Sequence, residues 1–315
     1  MNGAIVQLVQ LLAVAITAPL LSGIVRKTKA RLSLRRGASV FQPYRDLFRL
    51  FRKEPIVASN ASWLFLHAPA LIFALTLTAA SVIPTFSREL PLAPYADLIV
   101  VAGLFASARF VLTLAGLDIG TSFGGIGASR EVMIAAIAEP ALLMMIFAVA
   151  LVAGSTRVED ISAFVLSPAA GLRISLALAL IGLVMIAIIE NGRIPVDNPA
   201  THLELTMVHE AMVLEYSGPH LALVEWASSL KLTAYVSLIA AVFAPWGMAS
   251  ATASIPTFAL GLASWLAKLV AAAIALGVFE LSVAKMRVFR VPQFAGAALM
   301  LGLLAVLLRL VSRSL

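Results

Sequence analysis

The sequence contains no cysteine. This excludes disulfides, thiolate zinc sites and any iron–sulfur cluster held by the chain's own thiolates. It leaves the redox compartment open. Charge is scarce too: 12% of the 315 residues are Asp, Glu, Lys or Arg, against roughly 25% in soluble domains. There is no Gly-Lys-Ser/Thr phosphate loop. The glycine-rich "LDIGTSFGGIGASRE" lacks one and follows no strand pattern, and it reads as a tight connection between two spans. No serine sits in a triad context, so nucleophilic catalysis has no support. Internal repeats and low-complexity tracts are absent, and one membrane domain over 1–315 is expected.

Apolar residues, by contrast, make up 61% of the chain. A helix crossing the bilayer needs about 20 mostly apolar residues. Eight stretches qualify: Ala4–Val25, Trp63–Pro84, Asp97–Leu117, Val132–Ala153, Arg173–Glu190, Ala227–Gly247, Thr257–Val278 and Pro292–Leu310. The first lacks a basic leading region and is long enough to span, so it is expected to be a retained helix rather than a cleaved signal. The fold class is therefore all-α, a polytopic membrane protein.

The net charge of +7 is distributed unevenly. The segment "RKTKARLSLRRGASVFQPYRDLFRLFRK" between the first two spans holds ten Lys/Arg. Loops after the third, fifth and seventh spans add Arg130, Arg193, Lys285, Arg287 and Arg290, whereas the loops after the second and fourth hold only Arg88 and Arg157, with Arg173 at the edge of the fifth span. The positive-inside bias then makes 26–62, 118–131, 191–226 and 279–291 cytoplasmic and puts both termini on the periplasmic side of a plasma (inner) membrane. Arg309 and Arg313 oppose that bias but are outnumbered. The positive charge is accounted for by orientation. The lipid bilayer, not nucleic acid, is the expected partner.

Within the first basic loop, Tyr44, Leu47, Phe48 and Phe51 recur at i, i+3, i+4 and i+7, with Arg45, Arg49, Arg52 and Lys53 between them. This predicts an amphipathic helix in the membrane interface. It either anchors the chain through aromatic residues and snorkelling arginines, or walls a cavity and docks a partner.

Ionisable groups inside spans cost at least about 2.5–3.5 kcal/mol at the bilayer centre and usually face protein or water. Arg109 lies near the middle of the third span and needs a counter-ion, for which Glu139 and Glu280 are candidates. Glu139 stands beside Pro140 in the fourth span, where a kink is expected. Glu190 and Glu280 close the fifth and seventh spans near their cytoplasmic ends.

The densest ionisable stretch is "ENGRIPVDNPATHLELTMVHEAMVLEYSG", with five acids, two histidines and one arginine. Asn198 as cap, Pro199 at the first helical position and Asp197 at the dipole's positive end predict a helix over Pro199–Tyr216, about 27 Å long. Gly218-Pro219 is the stop. On that helix Glu204 and Glu215, eleven residues apart, lie about 20° from eclipsed. His202 and His209 share the opposite face, and Glu210 stands between. Metal binding would want histidine and carboxylate converging, which this spacing does not offer. A row of carboxylates fits proton relay better.

These motifs carry a family resemblance. The stretch from Glu190 to Gly218 resembles the third matrix-side loop of the family of NADH dehydrogenase subunit 1 and its NADH-quinone oxidoreductase counterparts. The matching positions are Glu190, Arg193, Pro195, Asp197, Pro199, Glu204, Leu205, Glu215, Tyr216 and Gly218. "RGASVFQPYRDLFRLFRKE" resembles the first loop of that family, "GASREVMIAAIAEP" its fourth helix through Arg130 and Glu139, and "KMRVFRVPQF" the end of its seventh. Pro292 is followed by Gln293 and Phe294, which departs from the quinone-reducing branch. "DNPATHLELTMVHEAMVLEYSGPHLALVEWA" and "LDIGTSFGGIGASRE" look more like the homologous subunits of membrane-bound, energy-converting [NiFe] hydrogenases of the formate hydrogenlyase and hydrogenase-4 type.

The resemblance implies a non-catalytic, energy-coupling subunit of an oxidoreductase complex, with quinone binding as the alternative. Glu139, Glu190, Asp197, Glu204, Glu210, Glu215 and Glu280 would form the proton path. Arg109, Arg130, Arg193, Arg287 and Arg290 would serve as charge partners and interface. The chain itself would hold no cofactor or metal. Iron–sulfur clusters and nickel–iron would belong to partners: hydrogenase-like large and small subunits and iron–sulfur subunits, beside antiporter-like membrane subunits.

Overall fold

A computed structural model describes residues 3–168, 171, 173–197, 207–250, 254–287 and 290–314. The elements in chain order are α1 (Gly3–Leu32), α2 (Gln42–Phe51), α3 (Trp63–Val82), a 3-10 turn (Ala93–Tyr95), α4 (Leu98–Asp118), α5 (Ser122–Ala153), α6 (Val158–Leu166), α7 (Ile174–Glu190), α8 (His209–Val213), α9 (Gly218–Phe243), α10 (Ile255–Ser282) and α11 (Val291–Ser314). Among the described residues there are no strands, only isolated bridges pairing Ser87 with Ala249 and Asp97 with Arg157. The all-α, polytopic expectation holds: α1, α3, α4, α5, α9, α10 and α11 are long and apolar enough to cross a membrane, and α7 is a shorter apolar helix.

Each predicted span corresponds to one helix, but caps rather than hydropathy set the ends. Asp97 accepts from the Ile99 amide at 2.7 Å and starts α4, and Ser62 does the same for α3 through Leu64 at 3.1 Å. Thr121 caps α5 through the Gly124 amide at 3.2 Å. The expected glycine-rich connection is therefore the first turns of a helix. Two of its glycines, Gly124 and Gly127, permit close approach. A Cβ on Gly127 would stand 2.9 Å from both the Val208 carbonyl oxygen and Ala211 Cβ, and one on Gly124 would stand 2.1 Å from the Gly116 carbonyl oxygen. α5 thus lies directly against α4 and α8.

The helices pack around a core in which α5 and α7 meet α11, α3 bridges α4 and α9, and α1 sits between α10 and α9. Phe105 of α4 stacks on Tyr235 of α9 with centroids 5.0 Å apart, and Phe65 stacks on Tyr216 at 4.1 Å. The expected amphipathic helix is α2. It docks across α1 and α9: the Tyr44 hydroxyl donates to the Ile16 carbonyl, and Phe51 meets Trp226 edge-on at 6.4 Å. Phe48 is exposed beneath the Arg52 guanidinium, 4.1 Å above its ring. α6, on the opposite side of the molecule, was not among the expected elements. Ser162 ties it to α9 by donating to the Ala241 carbonyl at 2.7 Å.

Of the expected helix over Pro199–Tyr216, the described residues form only His209–Val213 as α-helix. Residues 198–206, including His202 and Glu204, lie outside the described residues. Val208, at φ −123° and ψ −78°, is not helical, and α8 covers only His209–Val213. Tertiary bonds compete with the helix here. Arg130 donates to the Met207 carbonyl at 2.7 Å, and Asp197 accepts from the His209 amide at 3.4 Å. α8 ends at Val213, so His209 and Glu215 do not share one continuous helix. Gly218, at φ +52°, both ends this segment and opens α9.

Candidate functional site

Arg109 of α4 is buried in the bundle. Its Nη1 lies 2.6 Å from Glu190 Oε1 at the end of α7, and its Nη2 lies 2.6 Å from Glu139 Oε1 on α5. Lys231 of α9 takes the other oxygen of Glu190, with Nζ 2.9 Å from Oε2. Four elements thus converge on one ion cluster. Of the two expected counter-ions Glu139 is engaged, Glu280 is not, and Glu190 takes its place. The Glu190 side chain is 1% exposed, whereas that of Glu139 on α5 is 44% exposed.

Glu280 belongs to a second cluster nearer the basic end. Lys29 of α1 holds its Oε2 at 2.7 Å, and Arg193 approaches its Oε1 at 3.7 Å. Burial lowers the Arg193 guanidinium from its ordinary value, and Glu280 draws it back up. Asp197 is buried and accepts from Lys285 Nζ at 3.1 Å.

Cavities join these groups. A chamber of about 520 Å³ at the basic end is lined by Arg26, Lys29, Arg193, Glu210, Glu225 and Glu280. An inner chamber of about 70 Å³ is lined by Arg109, Glu131, Glu190 and Lys231. Asn191, Gly192, Asp197, His209 and Ser228 line both, so the two adjoin. A third cavity of about 180 Å³, beside Glu139, Leu143 and Tyr235, is also lined by Arg109 and Glu190.

The remaining expected residues fall into different places. Arg130 is half-buried and supports the Met207 carbonyl rather than standing free at a surface. Arg287 and Arg290 are exposed at the basic end. Glu215 is exposed and lines none of these cavities. Sequence reasoning misses four groups at the site. Glu131 and Glu225 sit in stretches that read as loops, and Lys29 is lost within the basic run. Lys231 is a charge inside an apolar span, the signal that singles out Arg109, and it is visible in "WASSLKLTAYVSL". Among the described residues no group of three His, Asp or Glu side chains is arranged to hold a metal.

Comparison with known proteins gives a consistent result. The pattern of the family described as NADH dehydrogenase matches residues 5–311. Formate hydrogenlyase subunit 4 of Escherichia coli (strain K12) is 37% identical over 291 residues, 92% of this chain and 93% of that protein. Hydrogenase-4 component C of the same organism is 36% identical over 242 residues, 77% of this chain and 76% of that protein. An NADH-quinone oxidoreductase membrane chain of Anaplasma phagocytophilum (strain HZ) is more distant, at 28% identity over 68% of each chain. A chain of the membrane-bound sulfane sulfur reductase, an archaeal respiratory membrane complex, matches with a TM-score of 0.82 over 98% of this chain and 100% of that one. At 18% identity that likeness is one of fold.

Proposed function

The chain belongs to the NADH dehydrogenase family, and on that premise we propose that it is the membrane-anchoring, energy-coupling subunit of a complex-I-like membrane-bound [NiFe] hydrogenase of the formate hydrogenlyase type. The extent and identity of its likeness to formate hydrogenlyase subunit 4 favour this over a quinone-binding role in an NADH-quinone oxidoreductase. The observation that carries the coupling role is the pair of adjoining chambers that lead from exposed polar residues to the buried Arg109–Glu190–Lys231 cluster. Buried charges in a membrane are costly, and they persist where they pair and do work.

In this reading Glu210, Glu225 and Glu280 receive protons or charge at the cytoplasmic end. Asp197 and His209 line the junction between the chambers. Glu131 and Glu190 form the inner end, with Glu139 beyond Arg109. Glu204 keeps its place in the path as a proposal from sequence alone. Exposed Arg287 and Arg290 face a soluble arm whose hydrogenase-like and iron–sulfur subunits hold nickel–iron and iron–sulfur groups. Antiporter-like subunits lie alongside in the inner membrane, and both termini are periplasmic. The larger chamber suits this role, because charged side chains dominate its lining and a quinone tail wants apolar walls.

The test is purification of the tagged full chain from its own membranes, with partner chains identified by mass spectrometry. Co-purifying hydrogenase-type large and small subunits are expected. NADH-dehydrogenase subunits in their place would establish the quinone-branch reading. Recovery of the chain without redox partners would overturn both.

A further inference from the structure

We propose that Arg109 is a fixed-cation barrier: charge is communicated across it, and protons do not pass it. The proposal deepens the coupling role above and rests on it. Arg109 and Glu190 line both the inner chamber and the third cavity, so the two spaces meet at this ion pair. The guanidinium fills that junction, with Nη1 2.6 Å from Glu190 and Nη2 2.6 Å from Glu139. A guanidinium has donors but no acceptor and does not deprotonate in proteins, so it cannot relay a proton by release and uptake. Its fixed positive charge also repels a hydronium ion, as arginine does in membrane pores that exclude protons. Lys231, on the far oxygen of Glu190, adds a second positive charge on the same side.

What does cross is electrostatic. Glu190 and Glu139 bind the two ends of one guanidinium. A change of charge at Glu190 therefore alters how strongly Arg109 holds Glu139. The low dielectric of the bundle keeps that interaction strong. Glu139 is the partly exposed member of the pair. The output of the site is thus a charge presented to a neighbouring membrane chain, and the proton stays in the inner chamber.

The absence of cysteine makes the barrier directly testable. Single reporters are placed in the full chain within native membrane vesicles: Ser228→Cys where the larger and inner chambers adjoin, on the near side of Arg109, and Ala102→Cys in the third cavity beyond it. Silver ion, a small monovalent cation, is added to the face bearing the basic loops. Protection from later alkylation is read on this chain by mass spectrometry. With Arg109 present, Ser228→Cys should be protected and Ala102→Cys should not. With Arg109→Ala, Ala102→Cys should become protected from that same face. Protection of Ala102→Cys with Arg109 in place, or none after Arg109→Ala, would overturn the proposal. If Arg109→Ala does not assemble, Arg109→Ala/Glu139→Gln removes one charge of each sign and takes its place, with the same outcomes. Labelling needs no turnover, so it can fail while an inner-chamber acid still proves essential for coupling, and the reverse.

Discussion

Arg109 illustrates what a single residue reveals and what it hides. A charge in the middle of an apolar span must be paired, and this much is legible in the sequence. Which acid pairs with it is not, because the partners lie 30 and 81 residues away in the chain. The structure gives it Glu139 and Glu190 together. Removing one partner of a buried pair costs about 3–5 kcal/mol, because the other charge is left uncompensated. Glu190→Gln weakens the hold on both Arg109 and Lys231. It should lower thermal stability by an amount of that order, read as the unfolding midpoint of the detergent-solubilised protein. Glu139→Gln should cost less, since the Glu139 side chain is 44% exposed and Arg109 keeps Glu190. Equal effects would contradict the asymmetry of the cluster.

At the scale of elements, hydropathy locates the spans, and polar caps move their ends. α5 begins ten residues before the expected Val132 because Thr121 caps it and small residues let it lie against α4 and α8. A side chain there has no room. Gly127→Leu should destabilise the protein by at least the roughly 1–3 kcal/mol of an overpacked contact, since the nearest atoms include a backbone oxygen. A fall in folded yield or unfolding midpoint would show it, and a neutral effect would mean the α5–α8 approach is looser than described. The short α8 departs from expectation for the opposite reason: local signals favour a long helix, and bonds from Arg130 and to Asp197 interrupt it.

α6 offers a pH test. The Ser155 hydroxyl donates to Asp160 at 2.6 Å, and with Arg157 at 2.8 Å this holds the Asp160 carboxyl below its ordinary value against a partial upward push from burial. A lowered carboxyl adds stability above its unfolded range, and that stability is lost as pH falls through the folded value. Asp160→Asn should therefore cost stability near neutral pH and cost nothing at strongly acid pH, in melting curves taken across the range. A cost independent of pH would show that the carboxylate charge is not the cause.

For the whole molecule, the sequence indicates a polytopic α-helical membrane protein, and its motifs indicate the family. The chambers are not legible there, because they form where α1, α3, α4, α5, α7, α8, α9 and α10 meet, and no single stretch contains them. Of the acids expected on one helix, Glu210 lines the larger chamber, where it meets Asp197 and Glu280 from other segments, with Glu190 in the inner one. Glu131 and Glu225 join them, while Glu215 stays outside on the surface. Glu215→Gln should consequently leave coupling intact, which separates a path built on the chambers from one built on the sequence pattern.

The most direct measurement is proton translocation per redox turnover in inverted membrane vesicles carrying Glu131→Gln. Glu131 lines the inner chamber beside Arg109, Glu190 and Lys231. If that chamber couples electron transfer to proton movement, the variant should keep the complex assembled and turning over its redox partners while translocation is lost. Translocation equal to wild type at equal turnover would contradict the coupling role of the chamber.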